Sequence, residues 1–261
     1  MALRIVVLLK AVPPVGSERL DASFRTVRAA ALEANGNDEY TLEAALKLVE
    51  KHGGEITLVA AGPAGALDAI RKGLAMGATR AVHVQDDSIA GSDIRATVSV
   101  LAAALKKLEY DLVLAGADTS DGQAGVVGGA LAARLGLPYL SYASLIEPSA
   151  DAKNVKVRRL TPSGYDVLEA PTPALIVGTQ LLGDPRYPSL RGIMQARNKE
   201  VQTWSLSDLG VESATVGEGA ATTKVLAAEP PPARAGATVV REAPDAAVAK
   251  VVEFLAARRL V

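Results

Sequence analysis
The chain has no cysteine and only two histidines, His52 and His83. Without cysteine there is no disulfide, thiol nucleophile, iron–sulfur cluster or cysteine zinc site. Two histidines leave little for a histidine metal site, and no metal ligand is assigned. Aromatic residues make up 3% of the chain, too few for a platform on which nucleobases stack. Neither sign of charge is in excess: 28 Lys and Arg stand against 29 Asp and Glu, a net charge of −1. That balance argues against a nucleic-acid partner, which calls for a basic face. No apolar run reaches the roughly 18–20 residues of a membrane span. The run inside Met1–Lys10 is short and no small-residue cleavage site follows it. It reads as a first buried strand rather than a signal peptide. A cytoplasmic protein that does not span the membrane is the expectation.

What is present is ample material for a core. Of 261 residues, 49% are hydrophobic and 22% charged, which suits one large α/β domain or a domain with an appendage. Ile5–Leu9 is continuously apolar, as a strand covered on both faces should be. Pro13 and Pro14 then forbid an immediate helix. Residues 15–38 read as polar and irregular, and a helix is expected from about Glu39 to His52, stopped by Gly53-Gly54. Further strands are expected at Ile56–Ala60, Ala81–Val84 and Asp111–Ala115. Helices are expected through Leu67, Ile70 and Leu74, through Ile94, Val98, Leu101, Leu105 and Leu108, and up to Leu135. This alternation predicts an open, mostly parallel sheet with helices on both faces, a nucleotide-binding architecture like that of adenine-nucleotide α-hydrolases. Ligands bind such a sheet at the carboxyl ends of its strands.

The texture changes after Pro148. Val155, Val157, Tyr165 and Val167 alternate around Thr161-Pro162-Ser163-Gly164, which predicts an added antiparallel hairpin. Ala174–Val177 reads as one more strand, and residues 182–200 as a long polar loop with a basic exit. Pro230-Pro231-Pro232 reads as a stiff linker. A last helix opens at Pro244-Asp245, with Val248, Val252 and Leu255 on one side and Arg258-Arg259 in its last turn. A helix this short is not stable alone, so its apolar side is expected to dock on this body or on a partner. The expected division is residues 1–224 as the α/β nucleotide-binding domain, including a loop at 183–200, and 225–261 as a C-terminal arm.

The loop Gly116-Ala117-Asp118-Thr119-Ser120-Asp121-Gly122-Gln123-Ala124-Gly125 follows a strand and opens a helix. Ser120 and Gln123 have the spacing of a capping box. Free N–H groups at such a helix start attract an anion, and glycines let a phosphate approach. The same residues also fit a strand-to-helix turn that merely packs tightly. The loop has neither the Gly-Lys-Ser/Thr of a Walker loop nor the Rossmann glycine spacing. Asp118 and Asp121 would repel a phosphate and suit a ribose hydroxyl, a cap or solvent. Leu8–Lys10, Asn35–Asp38 and Ala61-Gly62 are the other candidate walls. No catalytic set is visible. Asp86-Asp87 fits a solvated turn, His52 a helix end, His83 a packed strand position, and Trp204 a local anchor.

The segment Asp184-Pro185-Arg186-Tyr187-Pro188-Ser189-Leu190-Arg191-Gly192-Ile193-Met194, followed by Ala196-Arg197 and Lys199, mixes prolines with apolar residues in a loop. Long structured loops with apolar tips are frequently recognition elements. This run resembles the β subunit of electron transfer flavoprotein. Arg158 to Gly164 with Pro173–Val177, Ala69–Ala78 and the loop at 116–127 extend the resemblance over nearly the whole chain. The chain departs from the family pattern at Thr161-Pro162-Ser163 and at Ala124-Gly125-Val126-Val127, and 15–38 aligns poorly.

The resemblance implies an electron carrier rather than an enzyme: a heterodimer with an α subunit, with FAD held mainly by α. It implies AMP in β, at Leu8, Asn35, Gly36, Asn37, Asp38, Ala61, and the loop from Gly116 through Asp118, Thr119, Ser120, Asp121, Gly122, Gln123, Ala124, Gly125 and Val126 to Val127. In bifurcating members a second FAD takes that place and NADH is oxidised. The docking segment would be Pro185–Met194 with Ala196, and Leu190 would anchor in a flavin dehydrogenase such as an acyl-CoA dehydrogenase of fatty acid oxidation. Electrons would leave to a membrane quinone oxidoreductase, and the C-terminal arm would reach α. Two other classes share the architecture. An adenine-nucleotide α-hydrolase would carry Ser-Gly-Gly where this chain has Lys10-Ala11-Val12-Pro13-Pro14. A stand-alone nucleotide sensor would fold without α.

Overall fold
Alternate residues of the first strand, β1 (Leu3–Leu8), look to opposite sides of a sheet, and both sides are buried. Leu3, Ile5 and Val7 join one apolar cluster and Val6 and Leu8 another, which is why the strand reads as an unbroken apolar run. In this computed structural model, residues 2–28, 31–229 and 236–261 are described. The chain divides into two compact units, Met1–Leu226 and Ala227–Val261.

In the first unit, β2 (Ala11–Val12) and β3 (Glu33–Ala34) form a small antiparallel pair. They are followed by α1 (Gly36–His52), β4 (Gly54–Ala61), α2 (Ala66–Met76), β5 (Arg80–Val84), α3 (Ile94–Leu105), β6 (Leu112–Gly116) and α4 (Val127–Leu135). Next come β7 (Tyr139–Pro148), β8 (Asn154–Thr161), β9 (Gly164–Pro171), β10 (Ala174–Gly178), α5 (Leu190–Ala196), β11 (Val201–Trp204) and the short α6 (Gly217–Ala220). The nine-stranded sheet has the order β11-β5-β4-β1-β6-β10-β7-β8-β9. It is parallel from β11 to β7 and antiparallel from β7 to β9. One cluster packs Leu42 and Leu46 of α1 and Ile70 and Leu74 of α2 on the sheet; the other packs Val98, Leu101 and Leu105 of α3 and Leu131 of α4. Each fully buried Leu or Ile side chain contributes about 1.5–3 kcal/mol. The chain steps from β1 outward to β4 and β5, then returns past β1 to β6. The crevice between the ends of β1 and β6 is the switch point of the topology.

The expected open parallel sheet with helices on both faces is present. Several local expectations are corrected. Asn35–Asp38 is not the end of an irregular stretch: Asn35 is the N-cap of α1 and Gly36–Asp38 its first residues. Ser120 and Gln123 form no capping box, because α4 begins only at Val127 and Gln123 instead bonds back to the carbonyls of Thr119 and Ser120. The antiparallel hairpin is joined by the strand β7, which the sequence reading missed. The loop at 182–200 contains the helix α5 and leads into the edge strand β11.

In the second unit, α7 (Pro244–Ala257) starts on Pro244 as expected and none of its side chains is buried. Arg258 caps it rather than lying in its last turn, with its guanidinium 3.5 Å from the Phe254 ring centroid. The proline run at 230–232 lies outside the described residues. No helix among the described residues is long and apolar enough to cross a membrane.

Candidate functional site
Three segments meet at the switch point: the exit of β1, the start of α1 and the loop after β6. Polar contacts tie them to one another. The Asp38 carboxylate accepts the Lys10 N–H at 2.8 Å and the Gly116 N–H at 3.2 Å. The side-chain amides of Asn35 and Asn37 donate to the Asp118 carbonyl at 2.9 and 3.0 Å, and the Ser120 N–H donates to Asn35 Oδ1 at 3.2 Å. Gly116 is required by this close approach, since a Cβ there would lie 2.4 Å from Asp38 Oδ1. Leu8 is buried beneath the cluster, and Ala61 ends β4, the strand beside β1.

Both acidic residues of the loop have partners, backbone amides for Asp118 and two cations for Asp121. Asp118 Oδ1 accepts from the N–H groups of Thr119 and Gly125 at 2.8 and 3.3 Å. The Asp121 carboxylate is almost wholly buried and pairs with Lys10 Nζ at 2.8 Å and with the Arg28 guanidinium. Burial alone would raise its pKa, but the Lys10 and Arg28 cations hold it below the ordinary carboxylate value. The expected repulsion of a phosphate by Asp121 is therefore cancelled, and Lys10 Nζ, also 3.3 Å from Thr119 Oγ1, remains partly exposed. Sequence reasoning missed Arg28, which comes from the stretch taken as irregular. No local signal marks it.

Beyond Asp121 the loop offers donors. Among the described residues no protein group accepts from the N–H of Ala124, Val126, Val127 or Gly128. The Ser120 hydroxyl is buried without a partner. Free amides at the head of a helix, an orphaned hydroxyl and a nearby lysine fit an anionic group such as a phosphate. Gly122, Gln123 and Gly125 shape the loop, with Gln123 and Gly125 at φ 45° and 63°.

Among the described residues, neither histidine lies in this cradle, and its Lys10 and Asp121 side chains are engaged with each other. His83 is buried, and its Nε2 lies 3.1 Å from the Gly62 carbonyl oxygen. Asp86 caps a short turn through the Ser88 N–H. Lys107 Nζ lies 4.9 Å from the Trp204 ring centroid. Among the described residues no cluster of three His, Asp or Glu stands where it would hold a metal ion.

The segment Pro185–Ala196 lies on the α1 and α2 side of the sheet, apart from the cradle. Tyr187, Leu190 and Met194 are 95%, 83% and 70% exposed, and Ile193 is partly exposed. Ser189 caps α5 by accepting the Gly192 N–H at 3.0 Å. Arg191 and Arg197 are exposed near the apolar tip, whereas Ala196 is buried. Arg186, in Pro185–Pro188, turns inward to Glu43 and Glu50 of α1, contacts the sequence reading did not anticipate.

The profile of the electron transfer flavoprotein domain matches residues 25–209. The electron transfer flavoprotein subunit beta of Mycobacterium leprae is 38% identical, over 98% of this chain and 99% of its own. The protein of that name from Clostridium acetobutylicum is 37% identical, over 85% and 86%. The caffeyl-CoA reductase-Etf complex subunit CarD of Acetobacterium woodii is 34% identical, over 96% and 98%. The chain belongs to the family of electron transfer flavoprotein β subunits, electron-transfer subunits whose designation implies an α-subunit partner.

Proposed function
We propose that this chain is the nucleotide-binding half of an electron-carrying heterodimer, with FAD shared with an α subunit and a structural AMP in the cradle at the switch point. The observation that carries the reading is the combination, among the described residues, of the unpaired amides of Ala124, Val126, Val127 and Gly128, the partnerless Ser120 hydroxyl and Lys10 beside a neutralised Asp121. The phosphate of AMP would take those donors, and Leu8, Asn35–Asp38 and Ala61 would flank the nucleoside. Asp38 is buried in backbone hydrogen bonds and Asp121 is paired with Lys10 and Arg28, which supports a structural nucleotide rather than a turned-over one. The flavin supplies the redox chemistry when bound, and this chain supplies position and electrostatics. Pro185–Ala196 presents Leu190 to flavin dehydrogenases such as acyl-CoA dehydrogenases, and electrons leave to a membrane quinone oxidoreductase. A small exposed tip suits a carrier that must bind and release quickly. The C-terminal unit would reach the α subunit.

A second reading puts another FAD in the cradle and links the protein to NADH. Its support is the resemblance to the CarD subunit. Denaturing the copurified heterodimer and chromatographing the released nucleotides separates the two. One FAD with one AMP is the expected result. Two FAD would establish the second reading, and a colourless preparation that hydrolyses ATP would overturn both.

A further inference from the structure
α5 runs only from Leu190 to Ala196 and carries Leu190, Ile193 and Met194 outward. Helices that short are not stable on their own. Its shape must come from outside, and two arginines hold its flanks. On the leading side, Arg186 donates Nε to Glu43 Oε2 at 2.7 Å and Nη2 to Glu43 Oε1 at 3.0 Å, and its backbone N–H reaches Glu43 Oε2 at 3.1 Å. Its Nη1 and Nη2 also reach the Glu50 carboxylate. Glu43 is buried on α1, so this fork is anchored in the body of the protein. On the trailing side, Arg71 of α2 donates Nη1 to the carbonyls of Ala196 and Lys199 at 2.6 and 2.9 Å. Lys199 Nζ in turn caps α2 through the carbonyls of Leu74 and Ala78 at 3.0 and 2.7 Å.

We infer that Arg186 and Arg71 are positioning residues that preorganise the docking helix, so that Leu190 meets a dehydrogenase already in its bound shape. The inference rests on the docking role given to this segment above. A tip held ready loses less conformational freedom on association, and a transient complex with a small interface depends on that saving. Neither arginine lies at the apolar tip, so both act through the helix they hold.

The test uses the heterodimer with its α subunit and follows its reduction by an acyl-CoA dehydrogenase. Arg186→Gln alone would leave the buried Glu43 charge with only Lys47, 3.7 Å away, so it is combined with Glu43→Gln; Arg186→Lys and Arg71→Gln are made separately. The paired variant should raise the KM for the heterodimer about tenfold with the limiting rate kept, and Arg186→Lys should fall between it and wild type. Amide exchange across 189–197 should quicken, with flavin and nucleotide content unchanged. Adding the paired variant to Leu190→Ala should raise KM little beyond Leu190→Ala alone, since both act on one contact. If Leu190→Ala raises KM and the arginine variants do not, the docking role stands and the positioning role is wrong. If Leu190→Ala also has no effect, the docking role falls, and this inference with it.

Discussion

Asp38 is a buried acid in the first turn of α1, where its carboxyl oxygens accept two backbone N–H groups. Burial dominates those bonds and pushes its pKa up to about 7. An unfolded aspartate titrates near ~3.9. Between those values the folded protein binds more protons than the unfolded chain, so the stability contributed by this group is full below about pH 4 and is lost as pH rises to about 7. His83 works in the opposite sense, because burial lowers its pKa and favours the folded state as pH rises. Subtracting the denaturation curve of Asp38→Asn from that of wild type removes the His83 contribution and leaves the Asp38 one. The difference should shift against wild type between pH 5 and 7, by roughly one kcal/mol per pH unit; a flat difference would show that Asp38 is ionised throughout. Asp121 illustrates what a residue's neighbours in sequence conceal. It reads as a charge hostile to phosphate, yet Lys10 and Arg28, distant in sequence, cancel it.

At the scale of elements, the long amphipathic helices and buried parallel strands were legible because their apolar residues repeat with the period of the structure they form. β7 was not. Its buried residues Leu140, Ala143 and Ile146 are spaced by three, because the pairing register shifts along the strand and Tyr142 adopts φ 51°. A bulged strand no longer shows a period of two. β11 is short and lies at the sheet edge, with no apolar run to announce it. α5 has fewer than three turns and is specified by contacts. Gly192 is one of them: a Cβ at that position would lie 2.4 Å from the Ala75 carbonyl oxygen. Gly192→Ala should therefore lift α5 from α2, quicken amide exchange from Leu190 to Ala196 and weaken the proposed docking to a dehydrogenase, while leaving nucleotide content intact. Wild-type exchange in that variant would show that α5 does not need the close approach.

For the whole molecule, the return of the chain past β1 to β6 brings the exit of β1, the head of α1 and the loop after β6 to one crevice. A ligand bound there bridges segments far apart in sequence and stabilises only the folded state. AMP added to nucleotide-stripped heterodimer at a hundred times its Kd should stabilise it by about 2.7 kcal/mol. Calorimetry should show Tm rising by several degrees. An unchanged Tm would mean that AMP does not bind the folded protein.

By itself the sequence determined the alternation of strands and helices, the buried core that joins them and the exposed apolar run near Leu190, because each is written in residues close together in the chain. Only the tertiary structure decided that Arg28 and Lys10 neutralise Asp121, that Asn35 and Asp38 brace the loop after β6, and that Arg186 reaches Glu43. Those contacts join residues tens to more than a hundred positions apart. Their geometry is set by the order of strands in the sheet, and local periodicity carries no record of that order.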